Sequence, residues 1–297
     1  MSHKTVIAAF GGDARQKFAI EELKKTYDVR VWGMGEETEG EGGDWKSLLN
    51  GAEILLLPMP ASLDGVRVYS PLQASDRTLR LTSLLNAFEG RLVLGGRLPE
   101  ALYGTAEKKG LNCVDYLDSE ILQLKNAMPT AEGALCLAMQ SLPVTLDGCE
   151  TAVVGYGRIG ELLAQKLAAL GASVSVLARR RESLTRAELQ HHRSILLHCT
   201  DSYAGFEALP KETRVLFNTV PVRILTQDVL GRLPRGCLLV DLASSPGGID
   251  FDAARKMGFE AIWGTALPGK YAPETAGRLL ASALEAILEE ELFFADS

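Results

Sequence analysis

Metal-binding side chains are scarce in this sequence. It has four histidines and five scattered cysteines, and no two cysteines form a Cys-x-x-Cys pair. No group of His or Cys has the spacing of a metal site, so we expect no bound metal. The odd number of cysteines gives no disulfide framework and favours a reduced, cytoplasmic protein.

Long apolar runs and an excess of positive charge are also lacking. No apolar run approaches the length of a transmembrane helix, and the run that begins at Val6 is too short for a signal peptide. The formal net charge of −7 argues against general affinity for nucleic acid or anionic membranes. With 297 residues, 46% of them hydrophobic, the chain is long enough for two packed domains.

A glycine turn is the most informative pattern present. Gly155, Gly157 and Gly160 follow an apolar run and precede a stretch of helical periodicity. In this context the spacing predicts dinucleotide binding: the first glycine allows a tight turn, the second lets the backbone approach a pyrophosphate, and the third lets the helix pack closely. Arg158 and Ile159 open the helix, whose free N–H groups favour phosphate. The alternative is a tight strand–helix turn without a ligand.

The end of the next apolar run indicates which dinucleotide is bound. NAD-binding units usually place Asp or Glu there, where it holds the ribose 2′-hydroxyl. This chain has Ala178, Arg179 and Arg180 instead. No carboxylate repels a 2′-phosphate at this place, and guanidinium groups can bind one, so we predict NADP rather than NAD. A solvated basic turn before the next helix is the alternative.

Short apolar segments alternate with helical ones in both halves, which predicts the α/β class with two doubly wound parallel sheets. We expect a flavodoxin-like substrate domain over residues 1–128, a Rossmann dinucleotide-binding domain over residues 129–297, and a cleft between them. Arg77–Ala87 is predicted to be a helix, and Gly33–Gly43 an acidic, glycine-rich loop in solvent. The long helical segment Pro273–Phe294 can pack back on the first domain.

A proline marks the junction of the two halves. Pro129 is unfavourable inside a helix and acceptable in its first turn. We therefore expect one helix to end near Asn126 and another to begin near Thr130, which makes a hinge.

Ligands of doubly wound sheets bind at the carboxyl ends of the strands. Small and polar residues follow three predicted strands of the second half, and they would let a flat cofactor ring lie against the backbone. Ordinary turn chemistry is the alternative interpretation. The residues expected at this cofactor wall are Thr219, Val220, Pro221, Asp241, Ala243 and Pro268.

Five segments together resemble the family of dipicolinate synthase A subunits, in order and over almost the whole chain. The resemblance implies an enzyme of spore-forming bacteria that oxidises dihydrodipicolinate to dipicolinate, on a branch of the lysine pathway, with NADP. It also implies a partner, the smaller, flavoprotein-like B subunit of dipicolinate synthase. The segments are residues 11–16, 126–134, 155–160 with 178–180, 241–248 and 267–277.

A dicarboxylate substrate requires a cation in its site, because the chain as a whole is acidic. Arg15 is the predicted cation, since it lies in the first strand–helix turn, where a helix N-terminus favours anions. Asp13 and Gln16 beside it are predicted to contact the substrate as well. The alternative for Arg15 is a surface position on the first helix.

Four residues near the junction are the catalytic candidates. Asp118 and Glu132 are possible proton acceptors, and Asn126 and Thr130 would frame the substrate ring. Either acid could instead be a charge or cap at a helix N-terminus. Because the product ring is aromatic, its formation supplies driving force, and a strong base is less needed than in alcohol oxidation.

Two other functions are compatible with the same motifs. One is an oxidoreductase similar to alanine or 2-hydroxyacid dehydrogenases, although Trp263–Lys270, where hydroxyacid dehydrogenases carry a catalytic His, contains none. The other is a non-catalytic subunit that binds NADP(H). The same architecture also permits a homo-oligomer.

Overall fold

The computed structural model describes residues 4–35, 44–73, 78–198 and 204–295, and the chain divides into two compact units. The first unit comprises residues 1–126 together with residues 272–297, and the second comprises residues 127–271. The predicted Gly33–Gly43 loop lies outside the described residues from position 36 onward, and so does Arg77. The predicted start of the Arg77–Ala87 helix is wrong, because residues 78–80 are not helical and the helix begins at Leu81. The Val68 amide donates to the Leu79 carbonyl oxygen, and Arg80 is extended.

The first unit is built on a parallel sheet of five strands in the order β2-β1-β3-β4-β5, the flavodoxin-like order. The central strands are buried along their whole length, as expected for a sheet that is covered on both faces. The strands are β1 (Val6–Phe10), β2 (Asp28–Trp32), β3 (Ile54–Leu56), β4 (Leu92–Gly95) and β5 (Asn112–Asp115).

The second unit contains a parallel sheet of six strands in the order β11-β10-β9-β6-β7-β8. Counted from the first strand of the unit, this is the 3-2-1-4-5-6 order of dinucleotide-binding folds. The predicted α/β class with two doubly wound parallel sheets is therefore confirmed. The strands are β6 (Glu150–Val154), β7 (Ser173–Ala178), β8 (Arg193–Leu196), β9 (Val215–Asn218), β10 (Leu238–Asp241) and β11 (Ala261–Trp263).

Helices cover the faces of both sheets. Short 3₁₀ turns occur at Ser47–Leu49, Tyr116–Asp118 and Phe206–Ala208. In chain order the helices are α1 (Ala14–Leu23), α2 (Leu81–Ala87), α3 (Glu100–Lys108), α4 (Glu120–Ser141), α5 (Arg158–Ala169), α6 (Arg181–Leu189), α7 (Gln227–Leu230), α8 (Phe251–Lys256), α9 (Leu267–Tyr271) and α10 (Pro273–Ala295). No helix among the described residues combines the length and apolarity that crossing a membrane requires.

The predicted break at Pro129 is wrong, because α4 runs through it as one helix. Proline has no N–H to donate to the carbonyl four residues earlier, and in a helix interior it costs about 3 kcal/mol. On the C-terminal side, Ala131, Ala134 and Ala138 are fully buried in the core of the second unit. Packing of this apolar stripe outweighs the local cost of the proline, since tertiary contacts supply most helix stability.

The helix α10 completes the core of the first unit. Leu280, Leu284 and Leu288 are buried in the cluster that also contains β1 and α1 side chains. Gly277 allows α10 to pack directly against α1. An added Cβ would lie 2.5 Å from the carbonyl oxygen of Arg15 and 2.5 Å from the Cβ of Phe18. The two helices therefore pack in backbone contact at this glycine.

We predict that Gly277→Ala lowers the free energy of unfolding of the first unit by about 1–3 kcal/mol, because the added methyl overpacks the α1–α10 contact. Gly104→Ala is the matched control, since Gly104 is exposed in α3 and no described atom lies within 4 Å of an added Cβ. The control should gain about 0.5–1 kcal/mol from helix propensity. Thermal unfolding followed by circular dichroism measures both, and equal shifts in the two variants would contradict this packing.

Candidate functional site

A cavity of about 240 Å³ lies at the carboxyl end of the second sheet, where β6, β7 and β9 end. Eight of the predicted cofactor residues line it: Gly155, Gly157, Ala178, Arg179, Arg180, Thr219, Val220 and Pro221. Six more lining residues were not predicted from the sequence: Tyr156, Leu177, Ser183, Leu197, Val222 and Ile224. The structure therefore brings the glycine turn, the basic strand end and the turn after β9 together around one space.

The three glycines of the turn have different structural requirements. Gly155 has a φ of +92°, and an added Cβ would lie 2.3 Å from the Thr219 Oγ1 atom. At Gly160 the Cβ would lie 2.2 Å from the Gly155 carbonyl oxygen, so the fold itself requires both glycines. Gly157 is different, because no heavy atom of the described residues lies within 4 Å of an added Cβ. The fold alone therefore does not explain glycine at position 157.

The helix α5 begins directly behind this turn. Gly157 is its N-cap, and Arg158 and Ile159 form its first turn. The N–H groups at a helix start have no partner inside the helix, which makes the position favourable for an anion. Glycine at the N-cap keeps the approach to these groups open.

A buried tyrosine, Tyr156, lies within the glycine turn and lines the cavity. Tyr156 is 3% exposed, and burial raises the pKa of its hydroxyl. The Arg186 guanidinium lies 5.6 Å from the ring centroid, donates to the Tyr156 carbonyl oxygen at 3.0 Å, and donates to the Glu161 carboxylate at 2.8 Å. His192 packs edge-on against the ring, and burial lowers the pKa of its imidazole. One arginine thus ties the turn to both α5 and α6.

The Ser183 hydroxyl lies near the basic end of β7 and was not predicted from the sequence. Arg179 and Arg180 are exposed after β7, and Arg180 is the N-cap of α6. Ser183 is 9% exposed in the first turn of the same helix and lines the cavity with them. A serine in the first turn of a helix that follows a basic strand end is a signal that could have identified it.

Asp241 lies beneath the cofactor wall and not at its surface. Its carboxylate is fully buried and accepts hydrogen bonds from Asn218 Nδ2 at 2.8 Å and from the Gly248 amide at 2.7 Å. The Ala243 and Ile249 amides donate to it at 3.1 Å. These hydrogen bonds fix the conformation of the loop over residues 243–249. The role of Asp241 is therefore to hold this loop in place.

The two other predicted wall residues are Ala243, which follows β10, and Pro268, which lies in α9. Ala243 is buried, and its carbonyl oxygen accepts a hydrogen bond from Trp263 Nε1 at 3.1 Å. Pro268 is half-buried near the start of α9. Neither residue is among those that line the cavity, and neither is Asp241, so the structure does not place these three predicted wall residues at it.

In the first unit, Arg15 is 8% exposed at the start of α1, which contradicts the alternative of a surface arginine. Its Nη2 atom donates to the Asp13 carboxylate at 2.7 Å and to the Met59 carbonyl oxygen at 3.0 Å. Asp13 is the N-cap of α1 and also accepts from the Arg15 amide. Gln16 is 2% exposed, and its Nε2 atom has no hydrogen-bond partner among the described residues. The three predicted substrate residues thus form one polar cluster.

The catalytic candidates are more dispersed. Asp118 is exposed in the 3₁₀ turn Tyr116–Asp118, and Asn126 and Thr130 are half-buried within α4. Glu132 forms an ion pair with Lys166 at 2.9 Å, and its side chain is 56% exposed. Two residues along a helix differ by about 200°, so Thr130 and Glu132 point in nearly opposite directions. Across the described residues, no cluster of three or more His, Cys, Asp or Glu could hold a metal ion.

Comparison with known proteins connects these observations to one family. A model of the N-terminal domain of the dipicolinate synthase A subunit matches residues 6–117. The dipicolinate synthase A subunit of Bacillus subtilis (strain 168) is 32% identical over 291 residues, which is 96% of each chain. The crystal structure of its counterpart from Bacillus halodurans has a TM-score of 0.84 at 29% identity and covers 96% of this chain and 97% of its own.

More distant structures share the fold alone. A D-lactate dehydrogenase from Treponema pallidum has a TM-score of 0.59 at 13% identity, with 95% of both chains covered.

We predict that Asp241→Asn lowers the free energy of unfolding by about 1.5–3 kcal/mol, because it removes a charge from hydrogen bonds and places an amide against amide donors. Backbone amides over residues 243–249 should also exchange hydrogen faster. Asp252→Asn is the control, since Asp252 is 81% exposed and pairs with Arg255 on the surface. Identical melting temperatures for both variants would exclude a structural role for the Asp241 carboxylate.

Proposed function

The chain belongs to the family of dipicolinate synthase A subunits, and on this basis we propose that it oxidises dihydrodipicolinate to dipicolinate with NADP, in the cytoplasm during sporulation. The observation that carries the proposal is the 32% identity to the Bacillus subtilis relative over 96% of the chain. In this proposal the first unit binds the substrate and the second binds the cofactor.

The start of α5 beside the cavity of the second unit supports dinucleotide binding. Gly157 leaves open space at the start of α5, so the pyrophosphate can meet the Arg158 and Ile159 amides without contact to a Cβ. The turn Thr219-Val220-Pro221 and the loop held by Asp241 would form the wall for the nicotinamide, with Ala243 and Pro268 near it. When bound, NADP accepts the hydride.

The basic strand end favours NADP over NAD. Arg179 and Arg180 supply two positive charges beside the cavity, and Ser183 supplies a hydroxyl at the N-terminus of α6. Ala178, at the end of β7, provides no carboxylate to repel a 2′-phosphate. This set of donors is suited to a phosphate rather than to a ribose hydroxyl.

The Arg15 cluster suits a dicarboxylate. The guanidinium is already oriented by Asp13 and Met59, so little side-chain entropy is lost when a carboxylate binds. The reaction removes one hydride and one proton and leaves an aromatic ring. Asp118 is the better proton acceptor of the two proposed, because Glu132 is paired with Lys166. Asn126 and Thr130 would hold the ring.

A second polypeptide is expected from the family. The name of the Bacillus subtilis relative designates one lettered subunit, which implies a multi-subunit enzyme. We propose that this chain binds the flavoprotein-like B subunit of dipicolinate synthase, and activity should be measured with and without that partner.

We predict that the wild-type chain reduces NADP when freshly generated dihydrodipicolinate is added, and that Gly157→Val abolishes the reaction by blocking the pyrophosphate. The variant should fold, since an added Cβ has no described neighbour within 4 Å. Absorbance of NADPH measures turnover, and circular dichroism measures folding. Gly104→Ala should retain full activity. No reduction by the wild-type chain, with or without the flavoprotein-like partner, would refute the proposed reaction.

We predict that replacing Arg179 and Arg180 with Ala weakens NADP binding by about 1.5–3 kcal/mol for each lost charged hydrogen bond, and leaves NAD binding nearly unchanged. Calorimetric titration of both nucleotides gives the two affinities. Replacing Arg255, an exposed arginine of α8, with Ala is the control. An equal loss for NAD and NADP would show that these arginines do not read the 2′-phosphate.

A further inference from the structure

An irregular segment of the first unit, Val68–Gln73, holds shielded polar atoms. Ser70 Oγ and both Nε2 and Oε1 of Gln73 are buried from solvent and make no hydrogen bond within the described part of the chain. Gln16 Nε2, at the start of α1, is also buried and also makes no hydrogen bond within this part of the chain. A buried polar group without a partner costs about 1–3 kcal/mol, so four such atoms in one unit require an explanation.

The segment is fixed over the carboxyl ends of β1 and β2. The Gly12 amide donates to the Tyr69 carbonyl oxygen at 2.8 Å, and the Tyr69 amide donates to the Ala61 carbonyl oxygen at 3.0 Å. An ideal Cβ on Gly33 would lie 3.1 Å from Ser70 Oγ and 3.3 Å from Gln73 Oε1. The hydroxyl and the carboxamide therefore both lie beside Gly33, the residue that follows β2.

Gln16 and the Arg15 cluster are adjacent to this segment. An ideal Cβ on Gly12 would lie 2.4 Å from the Gln16 Cβ, and Gly12 itself bonds to Tyr69. Burial and the Asp13 carboxylate raise the pKa of Tyr69, whereas Arg15 lowers it, so the Tyr69 ring senses both charges. The shielded polar atoms and the buried ion pair thus share one edge of the sheet.

We propose that Ser70 and Gln73, with Gln16, are further substrate-binding residues: a set of uncharged donors that holds one carboxylate of a small dicarboxylate beside the Arg15–Asp13 pair. The inference rests on the proposed function, since it takes the substrate to be dihydrodipicolinate. It assigns two residues of an irregular segment to the specificity of the site.

Uncharged donors suit this position because the existing pair has no net charge. Asp13 compensates the charge of Arg15, so the pair alone holds a dianion less strongly than a free arginine would. Each added cation would have to be desolvated. Amide and hydroxyl donors stabilise a carboxylate without that cost. A site with unpaired donors also rejects an analogue that lacks the group they bind.

The polar atoms are shielded from solvent in this structure, so binding at them requires the segment to shift away from the end of β2. Backbone hydrogen bonds from Gly12 to Tyr69, from Tyr69 to Ala61 and from Val68 to Leu79 hold it in place. The ligand would replace part of this closed packing with hydrogen bonds to the three side chains. Because opening breaks the backbone hydrogen bonds of Val68 and Tyr69, we expect the ligand to speed amide hydrogen exchange over residues 68–73.

The test uses Ser70→Ala and Gln73→Met, which remove the donors with little change in volume, and Gln165→Met, an exposed position on α5, as the control. Both site variants should raise the KM for dihydrodipicolinate and the Kd for dipicolinate about 3- to 10-fold, as expected for one lost hydrogen bond, with kcat and NADP affinity nearly unchanged. Discrimination between dipicolinate and pyridine-2-carboxylate should fall. Gln73→Glu keeps the shape, adds repulsion, and should weaken binding further.

A purely structural cluster gives a different result. If the site variants change the melting temperature but retain wild-type KM, Kd and discrimination, the inference is overturned while the proposed reaction stands. If the wild-type chain neither binds dipicolinate nor oxidises dihydrodipicolinate, the reaction fails and this inference fails with it. Unchanged amide exchange over residues 68–73 with saturating dipicolinate would also contradict ligand contact.

Discussion

Both candidate sites depend on one steric constraint: the first strand of each sheet must turn sharply into a helix whose N-terminus faces the sheet edge. Only glycine satisfies it. Gly11 and Gly12 have φ values of +67° and +127° after β1, and Gly155 has +92° after β6. A Cβ at Gly11 would lie 2.5 Å from the Tyr69 carbonyl oxygen. The same residues that permit the turns therefore also bring later loops against the sheet edges.

The arginines of the two candidate sites lie in opposite environments. Arg15 is buried and already bound to Asp13, so its direction is fixed and its charge is compensated. Arg179 and Arg180 are exposed on the second unit, where solvent screens them and a phosphate can displace water. In the function proposed above, a chain with a formal net charge of −7 would hold two kinds of anion through local arrangement alone.

Regular patterns were predictable from the sequence, whereas features that depend on tertiary packing were not. Alternating apolar runs predicted the two parallel sheets, and the glycine spacing predicted the turn at the cavity. The sequence predicted a break in α4 because proline disfavours a helix interior locally. It could not show that Ala131, Ala134 and Ala138 are buried in the core of the second unit and stabilise the continuous helix. Glu132 and Lys166 are 34 positions apart in sequence, and Asp241 lies 23 positions from its donor Asn218, so no local pattern indicates these contacts.

The return of α10 to the first unit determines the order in which the chain can fold during synthesis. Residues 1–126 leave the ribosome before residues 127–271, yet their core lacks Leu280, Leu284 and Leu288 until α10 has been synthesised. Residues 127–271 form a contiguous unit and are available earlier as a whole. The second unit can therefore fold while the first still exposes apolar surface, which is the reverse of the usual N-terminal-first order. A truncated C-terminus would consequently damage the N-terminal half of the molecule and spare the middle.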